Sequence, residues 1–184
     1  MKTLMIFPPI YITKGVPDSE SLENRLHQDG FQKISLVERQ LAFQGESLQD
    51  YIKRFLRQTS ENSISLLYTV GCGQRVLGIP STCHEAETIL HLLSGRRHQI
   101  WVCFSFKSWG EIYSKTVMTR ISFKRLAEAE IKSYLDLNEW QGRSGGYNPL
   151  GKAASFIKSV NGSPTVLSGL PEFEWASFIQ GRKF

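Results

Sequence analysis

The chain has 184 residues, 41% apolar and 21% charged, which is enough for a sizeable core and is the ordinary balance of a soluble globular domain. A net charge of +5 favours weak contact with anions such as nucleotides, RNA or acidic partners, and is silent on fold. Cys72, Cys83 and Cys103 are odd in number, scattered and without a C-x-x-C pair. This argues against a disulfide framework or zinc site and suits three free thiols in a reducing, cytoplasmic setting.

The apolar run at 4–12 contains Pro8 and Pro9, and no small-residue cleavage site follows it, so a signal peptide is not expected. No apolar run approaches the ~20 residues that a membrane span requires. There is no internal repeat.

In chain order, Ile10–Thr13 reads as a first strand. Residues 19–29 read as a helix on Leu22 and Leu26, stopped by Gly30. A strand is expected over 31–37. Ser47 then caps a helix whose Leu48, Tyr51, Ile52, Phe55 and Leu56 recur with the spacing of one buried face. Lys53, Arg54 and Arg57 lie off that face and read as solvated charges. Residues 64–70 are continuously apolar, as in a strand buried on both sides. The stretch 71–74, Gly-Cys-Gly-Gln, turns into Arg75–Leu77.

Pro80 opens a helix with Thr82 and Glu85 as a capping box, an apolar stripe of Ala86, Ile89, Leu90 and Leu93, and Gly95 as its stop. His84 and His91 lie seven residues apart on it, too far to chelate one ion easily, and read as surface residues. Residues 99–106 alternate Ile100, Val102, Phe104 and Phe106 onto one face. A loop over 108–115 leads to a partner strand over 116–123. A helix over 128–137 buries Ile131, Tyr134 and Leu135. A strand over 153–160, an Asn161-Gly162 turn, an extended piece at 165–167 and a last helix from Pro171 through Phe173, Trp175 and Phe178 complete the chain. Helices and strands mixed without strict alternation predict an α/β domain layered around one sheet.

The glycine-dense stretch 139–151, Glu-Trp-Gln-Gly-Arg-Ser-Gly-Gly-Tyr-Asn-Pro-Leu-Gly, carries an acid, a base and an aromatic. Its glycines allow tight turns or close approach to a ligand. Its bland alternative is a long surface turn. Glu139 and Arg143 are expected to face the main cleft, with Tyr147 nearby.

The order of short signals is more specific than any one of them. It runs Gly78-Ile79-Pro80, helix, Ser94-Gly95-Arg96 with His98, two strands, helix, Glu139, Arg143 with Gly145 and Tyr147, Gly151, then Gly169-Leu170-Pro171. From about Leu77 to Pro171 this resembles the Maf family of septum-formation-type nucleoside triphosphate pyrophosphatases. The resemblance implies an inosine-triphosphatase-like architecture: one Maf-like domain over 1–184, with a mixed central sheet, flanking helices and two lobes around a cleft. It implies hydrolysis of a nucleoside triphosphate to monophosphate and pyrophosphate. Such chemistry needs cations for the phosphates, carboxylates to hold Mg²⁺ or Mn²⁺ and a carboxylate to activate water.

Several family positions are substituted here. Where the family has Ser-x-Ser-Pro-Arg-Arg, Pro17 falls on the proline, and Asp18 and Ser19 on the arginine pair. Arg39 and Gln40 occupy an acidic pair ahead of Gly45-Glu46, with Glu38 a register shift away. Arg54 is kept from Arg-Leu-Ala-x-x-Lys-Ala, while Thr59 stands at the lysine and Ser60 at the last alanine. Tyr68 falls on the aspartate base, where it is not expected to be competent, and Ile79 on a phosphate-binding lysine. Glu139 and Arg143 survive from the last motif, whose glutamine is Leu150. The scaffold glycines and caps remain, whereas charge and base positions are replaced. The pattern suits a degenerate member, a pseudoenzyme that binds a nucleotide through Glu139, Arg143, Tyr147 and Arg54. One alternative is an active enzyme rebuilt on Glu38, Glu139 and Arg143, with Glu38 and Glu139 as metal ligands. Another is a non-enzymatic binder of nucleic acid or acidic partners through Arg96-Arg97-His98, Lys124-Arg125 and Arg182-Lys183. The dispersed charges and the lack of a nucleic-acid motif speak against the last. The resemblance also allows a homodimer.

Overall fold

The computed structural model describes residues 7–181. The start of the apolar run 4–12 and the Arg182-Lys183 pair lie outside the described residues. At the centre is strand β3 (Ser63–Cys72), buried from Ser63 through Gly71. Its apolar and β-branched residues suit a strand covered on both faces. It pairs in parallel with β1 (Ile10–Thr13) and antiparallel with β5 (Arg97–Ser108). The sheet order is β2 (Ile34–Val37), β1, β3, β5, β6 (Glu111–Phe123) and β7 (Ile157–Asn161), and β4 (Arg75–Leu77) folds back onto β3 as a hairpin. Because β1 and β2 are also parallel, one end of the sheet is parallel and the rest antiparallel.

Alternation along the strands separates two cores. Ile10, Ile12, Ile64, Leu66, Tyr68, Val70, Ile100, Val102 and Phe104 face the larger one. It is closed by α1 (Ser19–Gln28), α3 (Cys83–Leu93), α4 (Glu128–Asp136) and α5 (Glu172–Gln180), through residues such as Leu26, Leu90, Tyr134 and Trp175. On the opposite face, Leu48, Tyr51 and Ile52 of α2 (Leu48–Arg57) pack on Leu67 and Cys103. The fold is thus α/β, a mixed sheet flanked by helices on both faces. Side-chain caps start three of the helices. Asp18 accepts from Ser21 N–H, Ser47 from Asp50 N–H and Thr82 from Glu85 N–H. Among the described residues no helix is long and apolar enough to cross a membrane, and Cys72, Cys83 and Cys103 are free thiols.

Several local expectations are corrected. The 108–115 loop is instead mostly strand: β5 and β6 form a long hairpin turning at Trp109 and Gly110, whose φ values of 53° and 78° suit a tight hairpin turn. The expected strand over 153–160 begins as a 3-10 helix, Lys152–Phe156, and only Ile157–Asn161 is strand. Residues 165–167 belong to a 3-10 helix, Pro164–Ser168, rather than an extended piece. Helix α3 starts at Cys83, three residues after Pro80, and the Glu85 carboxylate accepts from Ser81 N–H. Phe173 lies exposed on α5, outside the stripe of Trp175 and Phe178. The hairpin extension is held by strand pairing, which no local pattern records.

Helix α5 closes the core through Trp175. Its ring meets Phe31 and Phe104 edge-on or tilted and stacks on Phe178, and its Nε1 donates to Asp29 Oδ2 at 2.9 Å. Arg25 adds a fork to Glu172. Trp175→Ala therefore leaves a cavity and removes the donor to Asp29 Oδ2, while Oδ1 keeps its bond from Arg25. The expected cost is about 3–5 kcal/mol in urea denaturation, with a clearly smaller loss for Trp175→Phe.

Candidate functional site

A cleft of about 700 Å³ opens beyond the carboxyl ends of the parallel strands β1 and β2. Open α/β sheets bind ligands in this place, because the strand ends release loops there and helices begin. One wall is the segment from Lys14 to Ser19 after β1, another the segment from Glu38 to Ala42 after β2, and Leu36, Val76, Gly78, Ile79 and Gly142 complete it.

The glycine-rich stretch joins these walls. Ser144 N–H donates to Gly15 O at 3.0 Å, and Gly145 N–H to Gly78 O at 2.8 Å. Gly145 has φ of 75°, and a Cβ there would stand 2.9 Å from Val70 Cβ, so only glycine fits this crossing on β3.

Arg39 is the polar centre of the cleft. Its Nε donates to Tyr51 Oη at 2.9 Å, one terminal nitrogen donates to Ser144 Oγ and the other to Thr69 Oγ1. All three acceptor residues are buried. Tyr51 donates onward to Gln40 O, and Ser144 to Leu77 O, so both hydroxyls are oriented to accept from Arg39. No carboxylate of the described residues pairs with Arg39. The neighbouring Glu38 instead bridges to Lys14, and both side chains are largely exposed.

The residues singled out in the sequence are not brought together. Tyr68 points into the larger core, only 1% exposed, and burial pushes its phenol far above its ordinary pKa. The next residue, Thr69, points the other way and reaches Arg39. Tyr147 is also in the core, its hydroxyl sharing a 2.7 Å hydrogen bond with His98 Nε2. Glu139 accepts from Lys152 N–H at 2.8 Å and packs on Gly151, bracing the loop it belongs to. Arg143 donates to Pro17 O and Gln141 O and lines a shallow neighbouring cavity with Asp18 and Glu20. Gly142, just before it, is the member of this stretch that lines the main cleft. The expectation that Glu139 and Arg143 share that cleft with Tyr147 nearby is thus corrected.

Arg54 is not a solvated charge. It forks onto Glu46, also donates to Gln40 Oε1 and Leu41 O, and lies 4.1 Å from the Phe43 ring centre. Its hydrogen bond holds the Glu46 carboxyl below the ordinary range, and the pair fixes the loop carrying Leu41 and Ala42. Thr59 is buried and bonded to Leu56 O and Ser105 Oγ. Glu38 follows β2 and lines the cleft. The sequence marked Arg39 only as a charge reversal. Thr69, Ser144 and Lys14 escaped notice, because hydroxyls and a lone lysine carry no spacing signal until the fold gathers them.

A divalent ion does not fit this set. Hard cations need several carboxylate or carbonyl oxygens, yet Glu38 is the single carboxylate lining the cleft and is bridged to Lys14. Glu139 lines neither this cleft nor the neighbouring cavity that Glu38 also borders. In the shallow cavity Asp18 caps α1 and faces Arg143. Among the described residues no group of three or more His, Cys, Asp or Glu could hold a metal. His84 and His91 lie on the surface, 3.6 and 3.5 Å from the carboxylates of Glu87 and Glu128.

Residues 52–182 match the family model described as Maf-like protein. The chain belongs to the Maf family. The dTTP/UTP pyrophosphatase of Ruegeria sp. (strain TM1040) is 35% identical over 144 residues, 74% of this chain and 75% of that protein. That of Roseobacter denitrificans is 40% identical over 112 residues, 61% of this chain and 60% of that protein. That of Hyphomonas neptunium is 41% identical over 113 residues, again 61% of this chain, and 59% of that protein. The match therefore spans about three fifths of the length of two of these Maf relatives. In this Maf chain the cleft lies largely before residue 52, where the family model does not reach.

One buried pair makes the Maf core pH-sensitive. Burial lowers His98 from 6.5 to about 4. The unfolded chain therefore binds this proton from pH 6.5 downward, while the folded chain resists it until about pH 4. Stability is full above pH 6.5 and is lost through that window, by on the order of 3 kcal/mol. Urea denaturation at pH 7 and pH 4.5 is expected to show this loss, and His98→Gln is expected to shrink it, although it also lowers stability at pH 7.

Proposed function

We propose that this chain is a Maf-type nucleotide binder, working as one domain in the cytoplasm, whose nucleoside triphosphate pyrophosphatase activity is weak or lost. The observation that carries the reading is the cleft itself: it has the site's place in the fold but lacks hydrolytic equipment. Its single carboxylate, Glu38, is bridged to Lys14. Tyr68 at the family's base position has its phenol in the core, protonated and away from any water the cleft could hold. Ile79 stands in the wall where the family resemblance places a lysine. Without clustered carboxylates there is no ready means to hold a metal against a triphosphate or to deprotonate water. The names of the relatives point to thymine and uracil nucleotides as the first candidates.

The test is a panel of nucleoside mono- and triphosphates with Mg²⁺ or Mn²⁺, scored together for pyrophosphate release and thermal shift. dTMP, UMP, dTTP or UTP is expected to raise the melting temperature. Pyrophosphate release is expected to fall at least ~10²-fold below the ~10 per second of a typical enzyme, the loss usual when a positioned base is missing. Turnover in the ordinary range of about 1–10³ per second would instead favour a rebuilt site in which Glu38, released from Lys14, serves as the base. That outcome would overturn the binder reading.

A further inference from the structure

We propose that Arg39 is the anion anchor of the cleft and that the cleft takes a nucleoside monophosphate without a divalent cation. This rests on the nucleotide reading above and specifies which nucleotide species is bound and how. A guanidinium has five N–H groups. Three of Arg39's go to the hydroxyls of Tyr51, Ser144 and Thr69, leaving one on each terminal nitrogen. Those hydroxyls fix the group in place but carry no charge. A partly buried cation is normally neutralised by a counter-charge. Here three elements converge to hold a guanidinium in a cleft with no carboxylate against it, a preorganised receptor for an oxyanion.

The charge of the cleft selects the species. Its lining carries Lys14 and Arg39 as cations and Glu38 as the one acid. The Lys14–Glu38 bridge joins two largely exposed side chains, and such pairs contribute so little that Lys14 can turn to a stronger anion. With Glu38 counted the lining has a net charge of +1, and Arg39 and Lys14 offer two cationic partners to a phosphate monoester, which carries about −1.5 to −2 near pH 7. A triphosphate brings more charge than these two cations balance, and the cleft lacks the donors to recruit a metal as mediator. The uncharged part of the ligand has an adjoining space. A cavity of about 440 Å³, bordered by the same Glu38, sets Thr13, Gln40, Gln58, Ser60 and Ser65 among the apolar surfaces of Tyr11, Val37 and Phe55. The Thr13 hydroxyl there is buried without a partner. These neutral donors and acceptors suit the edge of a pyrimidine base.

The experiment is isothermal titration of the full chain with dTMP and UMP in EDTA, repeated with Mg²⁺, alongside dTTP and UTP under both conditions. The monophosphates are expected to bind in EDTA, with affinity changed less than ~2-fold by Mg²⁺. Arg39→Met should weaken them ~10–100-fold, the range for losing a charge-assisted contact, and Lys14→Gln by less. Inorganic phosphate in EDTA should compete with dTMP on the wild type, a measurement that survives even if Arg39→Met fails to fold. Arg39→Lys, which keeps the charge but cannot span three hydroxyls, should fall between wild type and Arg39→Met. Binding of a triphosphate only with Mg²⁺ would overturn this inference and leave the nucleotide reading standing. Unchanged monophosphate affinity in a folded Arg39→Met, or no competition by phosphate, would overturn it too. No binding of any nucleotide under any condition would remove both.

Discussion

Strand β3 is covered on both faces, and that burial fixes nearly everything else. Its neighbours must satisfy its backbone on both edges, which they do as parallel β1 and antiparallel β5. Alternation then assigns its side chains irrevocably. Leu66, Tyr68 and Val70 face the larger core, and Leu67 and Thr69 face α2. A shift of one residue would move Tyr68 into the cleft side and Thr69 into the core, exchanging a phenol and a hydroxyl of very different bulk. The register holds because the two buried faces are filled by different side chains: Ile64, Leu66, Tyr68 and Val70 pack in the larger core, while Leu67 packs under α2 and Thr69 meets Arg39.

The second constraint is the crossing of the glycine-rich stretch over β3. Gly145 passes so close to Val70 that no side chain is tolerated. The closeness lets Ser144 reach both Gly15 and Leu77 with its backbone and side chain, and places its hydroxyl against Arg39. The cleft is therefore not a gap between independent loops. Its walls are tied by main-chain hydrogen bonds, and its one unneutralised cation is held from three sides. Around it, Arg54 and Glu46 perform a structural task with charges of the kind a ligand site could use. Their fork holds the loop whose Leu41 and Ala42 form the apolar side of the cleft.

The electrostatic character of the site follows from where its charges went. Acids that could have gathered around a cation serve instead as a helix cap (Asp18), a loop brace (Glu139) or a surface partner of lysine (Glu38). The cation Arg143 is tied to carbonyls beside the cleft. What remains is a mostly apolar hollow with a small positive excess. Such a surface favours a modest anion with an uncharged body over a metal-bridged polyanion.

Much of the fold was legible in the sequence, because burial writes a repeating pattern. The stripes of α1 through α5, the continuous run of β3 and the alternation of β5 each repeat with the period of their element, and solvent enforces that period locally. Glycine stops and side-chain caps were readable for the same reason, since each answers a need of the few residues beside it. What the sequence could not show was the extent of the β5–β6 hairpin, because residues 111–116 of β6 are all exposed and carry no buried alternation. The site was legible only in outline. The order of short motifs marked the family and the glycine-rich crossing, but it treated Glu139, Arg143 and Tyr147 as neighbours in one cleft. Their surroundings decided otherwise: Tyr147 found His98 across the core, Glu139 found the Lys152 amide, and Arg143 turned to Pro17. Arg39, Thr69 and Ser144 lie 30 and 105 residues apart as measured from Arg39. No local pattern can encode such a meeting, because it depends on which way each strand faces and on how closely two backbones cross, and both are set only when the sheet is assembled.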